Sequence, residues 1–463
     1  MPRIVILAPL LLSLLSPLLA QDSAATRSAP ASGFSLADGD TVVFLGDSIT
    51  HQCLYTQYIE NFFFTRFPDR RIRFHNAGVS GDSAADALVR LDADVLAQNP
   101  RYVTILLGMN DGAYVDLDPA LFTRYRQDMT DLIDRIEEAG ATPVLLSPTL
   151  FDHHQLSLRR DDETFRFADK EFSENYNAVL AYYGTWVRET AGRRRLPFVN
   201  LWGPLGDLTF RERRTDPDFT LVEDAIHPGA AGHAVMAYSI LSQFPPEKTA
   251  VGGITLLRHK GKWTARGSGA RIEDTTSEND ASVRLRFVAT ESALPWVAPK
   301  EFSEKDLKWG PSAPASVGFD LTNAGHRLGA QRLRVVGLPA GDYELRIDGQ
   351  AVGVFSHSQL ARKIELQDNA STPQYRQALE VALLNRERND RAVRPMRDLW
   401  SRIKALRRSG NEERFAAEVP ALRERIAKLA DTARDYEERI YEAVQPRSHT
   451  WEITPAGTAA ERP

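Results

Sequence analysis

A serine hydroxyl becomes a useful nucleophile only when a base takes its proton, and a neutral imidazole suits that task near pH 7. The sequence offers such a pair in Ser48, within Gly46-Asp47-Ser48-Ile49, and His227, within Asp224-Ala225-Ile226-His227-Pro228. An imidazole in that role needs a group that fixes its tautomer and stabilises the imidazolium. Asp224, on the same loop as His227, can fold back onto Nδ1. The tetrahedral intermediate also needs donors aimed at its oxyanion. The backbone N–H groups of Ser48 and Gly81, with the side-chain amide of Asn110, can supply them. Gly81 suits this because no Cβ obstructs the approach of a ligand to its backbone. Plainer alternatives exist: Asp224 and His227 as a helix-opening turn before Pro228, and Asn110-Asp111-Gly112 as an ordinary turn.

These residues need elements to bring them together. From Gly39 to about Phe244 short apolar runs alternate with amphipathic ones. Strands are predicted at Thr41–Leu45, Ile72–Asn76, Tyr102–Leu107, Pro143–Ser147 and Pro197–Leu201. Helices are predicted at about Tyr55–Arg66, Ser83–Gln98, Pro119–Glu138, Glu171–Thr190 and Ala231–Leu241. That alternation implies an α/β fold: a parallel five-stranded sheet covered on both faces, in a three-layer, flavodoxin-like arrangement. The chemistry-bearing pieces fall at carboxyl ends of strands or in the loops beside them, so one rim of the sheet collects them.

The four pieces, GDSI, the Gly of VSGD, the Asn of GMND, and DAIH, resemble in content and order the blocks of the SGNH hydrolases, also called the GDSL esterase/lipase superfamily. The resemblance covers roughly residues 38–244, within a hydrolase domain read as residues 38–246. It implies that Ser48 is the nucleophile, His227 the base and Asp224 its orienter, with Ser48, Gly81 and Asn110 forming the oxyanion hole. It implies no metal and no cofactor. Ile49 stands where the family nickname has Leu.

Further candidates surround this set. Asp47 is expected to brace the nucleophile turn or to touch substrate, and His51 and Gln52 to line the pocket or cover the start of the first helix. His233 reads as an ordinary helix residue and Cys53 as a small apolar one. The segment Pro148–Lys170 is long and polar and holds Asp152, His153 and His154. Adjacent side chains rarely converge on one ion, so a substrate-contacting loop or a plain surface loop fits better than a metal site.

Composition bounds the rest. With 463 residues, the chain is long enough for two or three domains. A formal charge of −5 gives no reason to expect nucleic acid as a partner. Arg3, the apolar run Ile4–Leu19 and Ala20 have the layout of a secretory signal peptide, followed by a small, polar leader over residues 21–37. Export to the periplasm or beyond is therefore expected, with no membrane span left after cleavage. A single cysteine leaves no internal disulfide to help.

After Pro246 the texture changes. Residues 250–372 read as a β-rich, sandwich-like accessory domain, with strands including Ser316–Leu321 and Ala361–Leu366 and a hairpin turn at Asp348-Gly349. Residues 373–446 read as charged surface helices broken near Pro395 and Pro420, and residues 447–463 as a final strand and tail. The combined expectation is an exported serine esterase acting on a small-molecule or glycan ester, most readily an O-acylated carbohydrate. The alternatives are a broad arylesterase, thioesterase or lysophospholipase, and a glycan-binding surface protein without turnover.

Overall fold

The computed structural model describes residues 33–278, 283–298 and 312–456. The expected signal peptide, most of the leader and the last residues of the tail lie outside them.

The first part of the chain runs β1 (Thr41–Gly46), α1 (Ser48–His51), α2 (Leu54–Arg66), β2 (Arg73–Gly78), α3 (Ala84–Arg90), β3 (Tyr102–Leu106) and α4 (Pro119–Glu138). It continues through β4 (Thr142–Leu146), α5 (His153–Leu158), α6 (Tyr176–Arg194), β5 (Phe198–Val199), α7 (Trp202–Glu212) and α8 (Ala230–Gln243). The five strands are parallel, in the order β2-β1-β3-β4-β5. The chain leaves β1 toward β2 on one side and returns to β3 on the other. That switch point opens a crevice at the carboxyl ends, directly beyond β1. Strands β1 and β3 are buried throughout, as expected for a sheet covered on both faces.

One expectation in this part needs correction, and one helix has no predicted counterpart. The Ser83–Gln98 helix is α only to Arg90 and then passes through a π turn, Leu91–Val95, and a short 3₁₀ turn. The Trp202–Glu212 helix was not legible, because Gly203, Pro204 and Gly206 read as a loop.

The second part runs β6 (Gly252–His259), β7 (Lys262–Ser268), β8 (Ala270–Glu278), β9 (Arg284–Glu291), α9 (Ala315–Thr322), α10 (Ala324–Gly329), β10 (Gln331–Val336), β11 (Asp342–Ile347), β12 (Gln350–Ser356), α11 (His357–Arg362) and β13 (Ile364–Glu365). Then come α12 (Pro373–Arg388), a π turn at Asn389–Val393, α13 (Arg394–Arg408), α14 (Glu412–Ala443) and β14 (Ser448–Pro455). The strands form two sheets, β13-β10-β6-β7 and β12-β11-β14-β9-β8. Ile254, Leu256, Leu285, Phe287, Leu333, Val335, Leu345, Trp451 and Ile453 form one core with residues from both sheets. The β11–β12 hairpin turns through Asp348 and Gly349, both at positive φ, as that dipeptide favours.

Ser316–Leu321, expected as a strand, is helix α9. Its alternating pattern is overruled by packing on α8 and by a helix-ending Asn323 at φ +54°. Ala361–Leu366 is split between the end of α11 and the two residues of β13. Pro395 opens α13 as expected, but Pro420 lies inside α14 and does not end it. An interior proline costs about 3 kcal/mol of helix. Burial of Val419 and contacts of Phe415, Leu422 and Ile426 with a cluster that includes Trp400 and Ile403 offset that cost.

The helices are not a detached appendage. Tyr375, Ala378, Val381 and Ala382 of α12 and Ile440 and Tyr441 of α14 belong to the same apolar core as the α/β unit. Among the described residues no helix is long and apolar enough to cross a membrane.

Candidate active site

Ser48 is the first residue of α1, set there by a turn that begins as β1 ends. Asp47 caps this helix, its Oδ1 accepting the Ile49 N–H at 2.9 Å. The one-turn helix sits hard against β2: a Cβ on Gly78 would lie 2.3 Å from the His51 nitrogen. The Ser48 N–H is at the first position of a helix, where backbone donors have no partner within the helix.

His227 comes from the loop before α8. Its Nε2 lies 2.8 Å from Ser48 Oγ, and its Nδ1 lies 2.8 Å from Asp224 Oδ2. Asp224 can only accept when ionised, so Nδ1 carries the proton and Nε2 is left to accept from the serine hydroxyl. The other carboxylate oxygen of Asp224 accepts the N–H groups of Ile226, at 3.0 Å, and His227, at 2.6 Å. Burial alone would push this carboxyl up. The imidazole and the two N–H groups outweigh it and hold the pKa below the usual carboxylate range. Ser48, Asp224 and His227 are all buried.

Gly81 occupies the third position of a turn closed by the Asp82 N–H on the Val79 carbonyl, at 3.1 Å. Its φ of +70° is what a type II turn demands there. Asn110 follows β3. Its Nδ2 donates to the Asp82 carbonyl at 2.9 Å and faces Asp47 Oδ2 at 3.4 Å, while its Oδ1 accepts from the Tyr114 hydroxyl at 3.1 Å. The side-chain amide is therefore oriented from both ends. Asp111 turns away and accepts the Ala84 N–H at the start of α3, at 2.8 Å. Burial first, and then the nearby Asp111 and Asp82 carboxylates, push the Asp47 pKa up to about 7 despite the Ile49 N–H.

The remaining candidates take quieter places. His51 Nδ1 lies 3.1 Å from Ser80 Oγ and 3.3 Å from the Ser80 nitrogen, and its Nε2 lies 3.3 Å from Asp398 of α13. Gln52 Oε1 meets His233 Nε2 at 3.0 Å, and His233 Nδ1 accepts the Tyr55 N–H at the start of α2. Burial, with the neighbouring His227, lowers the His233 pKa to about 3, so it is a neutral structural group. Cys53 is buried against Ala392, Val393 and Met396.

The segment 148–170 is more structured and more aromatic than its sequence suggested. Asp152 holds Arg213 through both carboxylate oxygens and accepts from Thr220, and its N–H donates to the Ala225 carbonyl beside the catalytic candidates. It fastens the loop that carries His227. His153 stands near the Phe151 ring, and His154 is exposed on α5. Among the described residues no group of three or more His, Cys, Asp or Glu side chains has the arrangement to hold a metal ion.

Sequence reading missed an aromatic run at the site. Tyr114, which orients Asn110, stacks on Phe172; Phe172 meets Phe167; and Phe167 lies parallel to the His227 ring at 6.5 Å. The only signal was the density of Phe between 151 and 172.

Comparison with known proteins agrees with this fold. Residues 44–235 match the family model described as GDSL-like Lipase/Acylhydrolase. An acetylxylan esterase of Geobacillus stearothermophilus is 23% identical over 231 residues, covering 45% of this chain and 95% of that protein. An uncharacterized lipoprotein of Bacillus subtilis is 32% identical over 133 residues, 27% of this chain and 54% of that one. A gut microbial diltiazem-metabolizing enzyme of solved structure shares the fold over 93% of this chain and all of its own, with a TM-score of 0.75 at 24% identity. That likeness extends the shared architecture to the sandwich and the helices. The α/β unit belongs to the GDSL-like lipase/acylhydrolase family, the SGNH hydrolases. The protein is a serine ester hydrolase.

Proposed function

We propose that Ser48, His227 and Asp224 are the catalytic triad of an exported esterase that removes acyl groups, foremost acetyl, from O-acylated carbohydrate. The observation that carries this reading is the unbroken chain from Ser48 Oγ through His227 to Asp224, with both links at 2.8 Å. Ser48 Oγ attacks the ester carbonyl as its proton passes to His227 Nε2. The imidazolium is stabilised by Asp224. The tetrahedral oxyanion is received by the N–H groups of Ser48 and Gly81 and by the Asn110 amide. Collapse expels the alcohol, which takes the proton from His227, and leaves an acyl-enzyme. Water, deprotonated by the same imidazole, then releases the acid.

The carbohydrate assignment draws on the acetylxylan esterase relative. The export assignment draws on the N-terminal sequence and the lipoprotein relative. The aromatic run beside His227 favours a second reading, an arylesterase that packs a ring against Phe167. Both readings meet one test. Acetate release from acetylated xylan and hydrolysis of p-nitrophenyl acetate are measured for wild type and Ser48→Ala. We expect loss of about 10⁴-fold or more in kcat with Ser48→Ala. Equal rates in the two proteins on every ester would sink the triad. Turnover of the aryl ester without acetate release from the polysaccharide would favour the arylesterase.

A further inference from the structure

Helix α13 reaches the oxyanion site from 324 positions away in the chain. Its Lys404 ammonium donates to the Ser80 carbonyl and, at 2.8 Å, to Asp82 Oδ1. The contact is sheltered: the Lys404 side chain is 16% exposed and that of Asp82 fully buried. The second Asp82 oxygen is held by Arg90, whose Nε lies 2.8 Å away. A Cβ placed on Gly81 would lie 3.7 Å from the ammonium nitrogen.

The Ser80 carbonyl and the Gly81 N–H belong to one peptide plane and point in opposite directions across it. That plane is the central peptide of the Val79–Asp82 turn. Type I and type II turns differ chiefly in a flip of this plane, about 150° in the second residue's ψ and about 170° in the third residue's φ. A glycine in the third position tolerates both states. The sequence of the turn therefore leaves the direction of the Gly81 N–H open, and something outside the turn must fix it. An ammonium on the Ser80 carbonyl does so, and it also polarises the peptide toward a stronger N–H donor. Through Asp82 the same ammonium steadies the residue whose carbonyl accepts from Asn110.

We propose that Lys404 is a positioning residue of the oxyanion site, pinning the Ser80–Gly81 peptide so that the Gly81 N–H faces the reacting carbonyl. The inference rests on the proposed role of Gly81 as an oxyanion donor. It gives the charged C-terminal helices a part in turnover that their sequence does not announce.

The test compares wild type, Lys404→Met, Arg402→Ala and Ser48→Ala on p-nitrophenyl acetate, with active sites counted by fluorophosphonate titration. Arg402 is on the same helix and pairs at the surface with Glu418, so its loss reports on the helix alone. Loss of one oxyanion donor costs about 10²–10³ in kcat. Loss of its alignment is expected to cost Lys404→Met about 10–100-fold per titrated site, with KM within about twofold. The affinity for an arylboronic acid, whose adduct with Ser48 puts an oxygen in the hole, should fall by a similar factor. A merely structural lysine would lower the number of titrated sites and leave turnover per site and boronate affinity intact. Should Lys404→Met not accumulate as folded protein, Lys404→Gln reads the same quantities. Wild-type turnover per site in the lysine variant, with Ser48→Ala inactive, overturns the role of Lys404 and leaves the triad standing. Full activity in Ser48→Ala removes the triad and this inference together.

Discussion

The sandwich and the charged helices both follow the α/β unit in sequence, yet they are held in opposite ways. The sandwich keeps its own apolar core between two sheets. The helices share the core of the α/β unit and add buried ion pairs to it. Arg388 reaches Glu60 of α2, Arg397 grips Asp94, and Lys404 meets Asp82. Asp94 shows what such pairing does. Burial would raise its pKa, but Arg397, His75 and Arg90 hold it well below the usual carboxylate range. The lesson concerns charge on helices. A face of Arg and Glu is a solvated surface unless another part of the chain buries carboxylates opposite it, and then it becomes a dock.

The sharpest way to break this contrast is Arg397→Met. The pair is buried on both sides, with the Asp94 carboxylate also held by Arg90 and His75. Removing one partner of a buried pair costs about 3–5 kcal/mol, and we expect such a loss in urea unfolding, accompanied by lower turnover. A cost below about 1 kcal/mol, the surface-pair range, would place this contact with solvent-exposed pairs.

The counterpart on the other side is Ile453→Ala, in the sandwich core. It should cost about 2–5 kcal/mol of stability with kcat on p-nitrophenyl acetate unchanged below the transition. A tenfold fall in kcat at full folding would mean that the sandwich also governs the site.

The smallest effect tests the seam. Glu291, at the end of β9, is buried and takes the Gln331 amide at 2.6 Å. Burial pushes its pKa from 4.5 up to about 7, against the pull of the Gln331 and Gln374 amides. The unfolded chain therefore gives up this proton at lower pH than the folded one. Stability from this group is full below pH 4.5 and falls as pH rises to about 7. Glu291→Gln should flatten that part of the stability–pH curve, as followed by thermal melting. An unchanged slope would locate the titration elsewhere.

These contrasts also explain what the sequence could disclose. The parallel sheet was legible because most of its strands are short apolar runs, and three of the site's four pieces stand within a few residues of a strand end, with the Asp224–His227 loop opening the last helix. Ser48, Gly81, Asn110 and the Asp224–His227 loop could thus be expected on one rim from the sequence alone. Some sandwich strands announced themselves by alternation, as β9 and β11 did, whereas β7, β8 and β12 did not. Ser316–Leu321 showed the same alternation and became a helix, because tertiary packing outweighs a weak local pattern. The docking arginines were illegible for a different reason. Their partners lie more than 300 positions away, and no local period records them. Likewise Phe167 read as a loop residue and Phe172 as the start of a helix until the fold laid them beside His227 and Tyr114.

One detail of the sandwich bears on how the protein comes to be folded. β14 is sequentially the last strand described, yet it pairs with β9 on one side and β11 on the other. Until it has left the ribosome, both neighbours keep an unpaired edge. Tyr441 and Val444, just upstream, are also needed to finish the core of the α/β unit. The nascent chain must therefore carry β1 and the Ser48 turn unfinished until β14 has been made before either core can close, a long interval in which a chaperone can hold it.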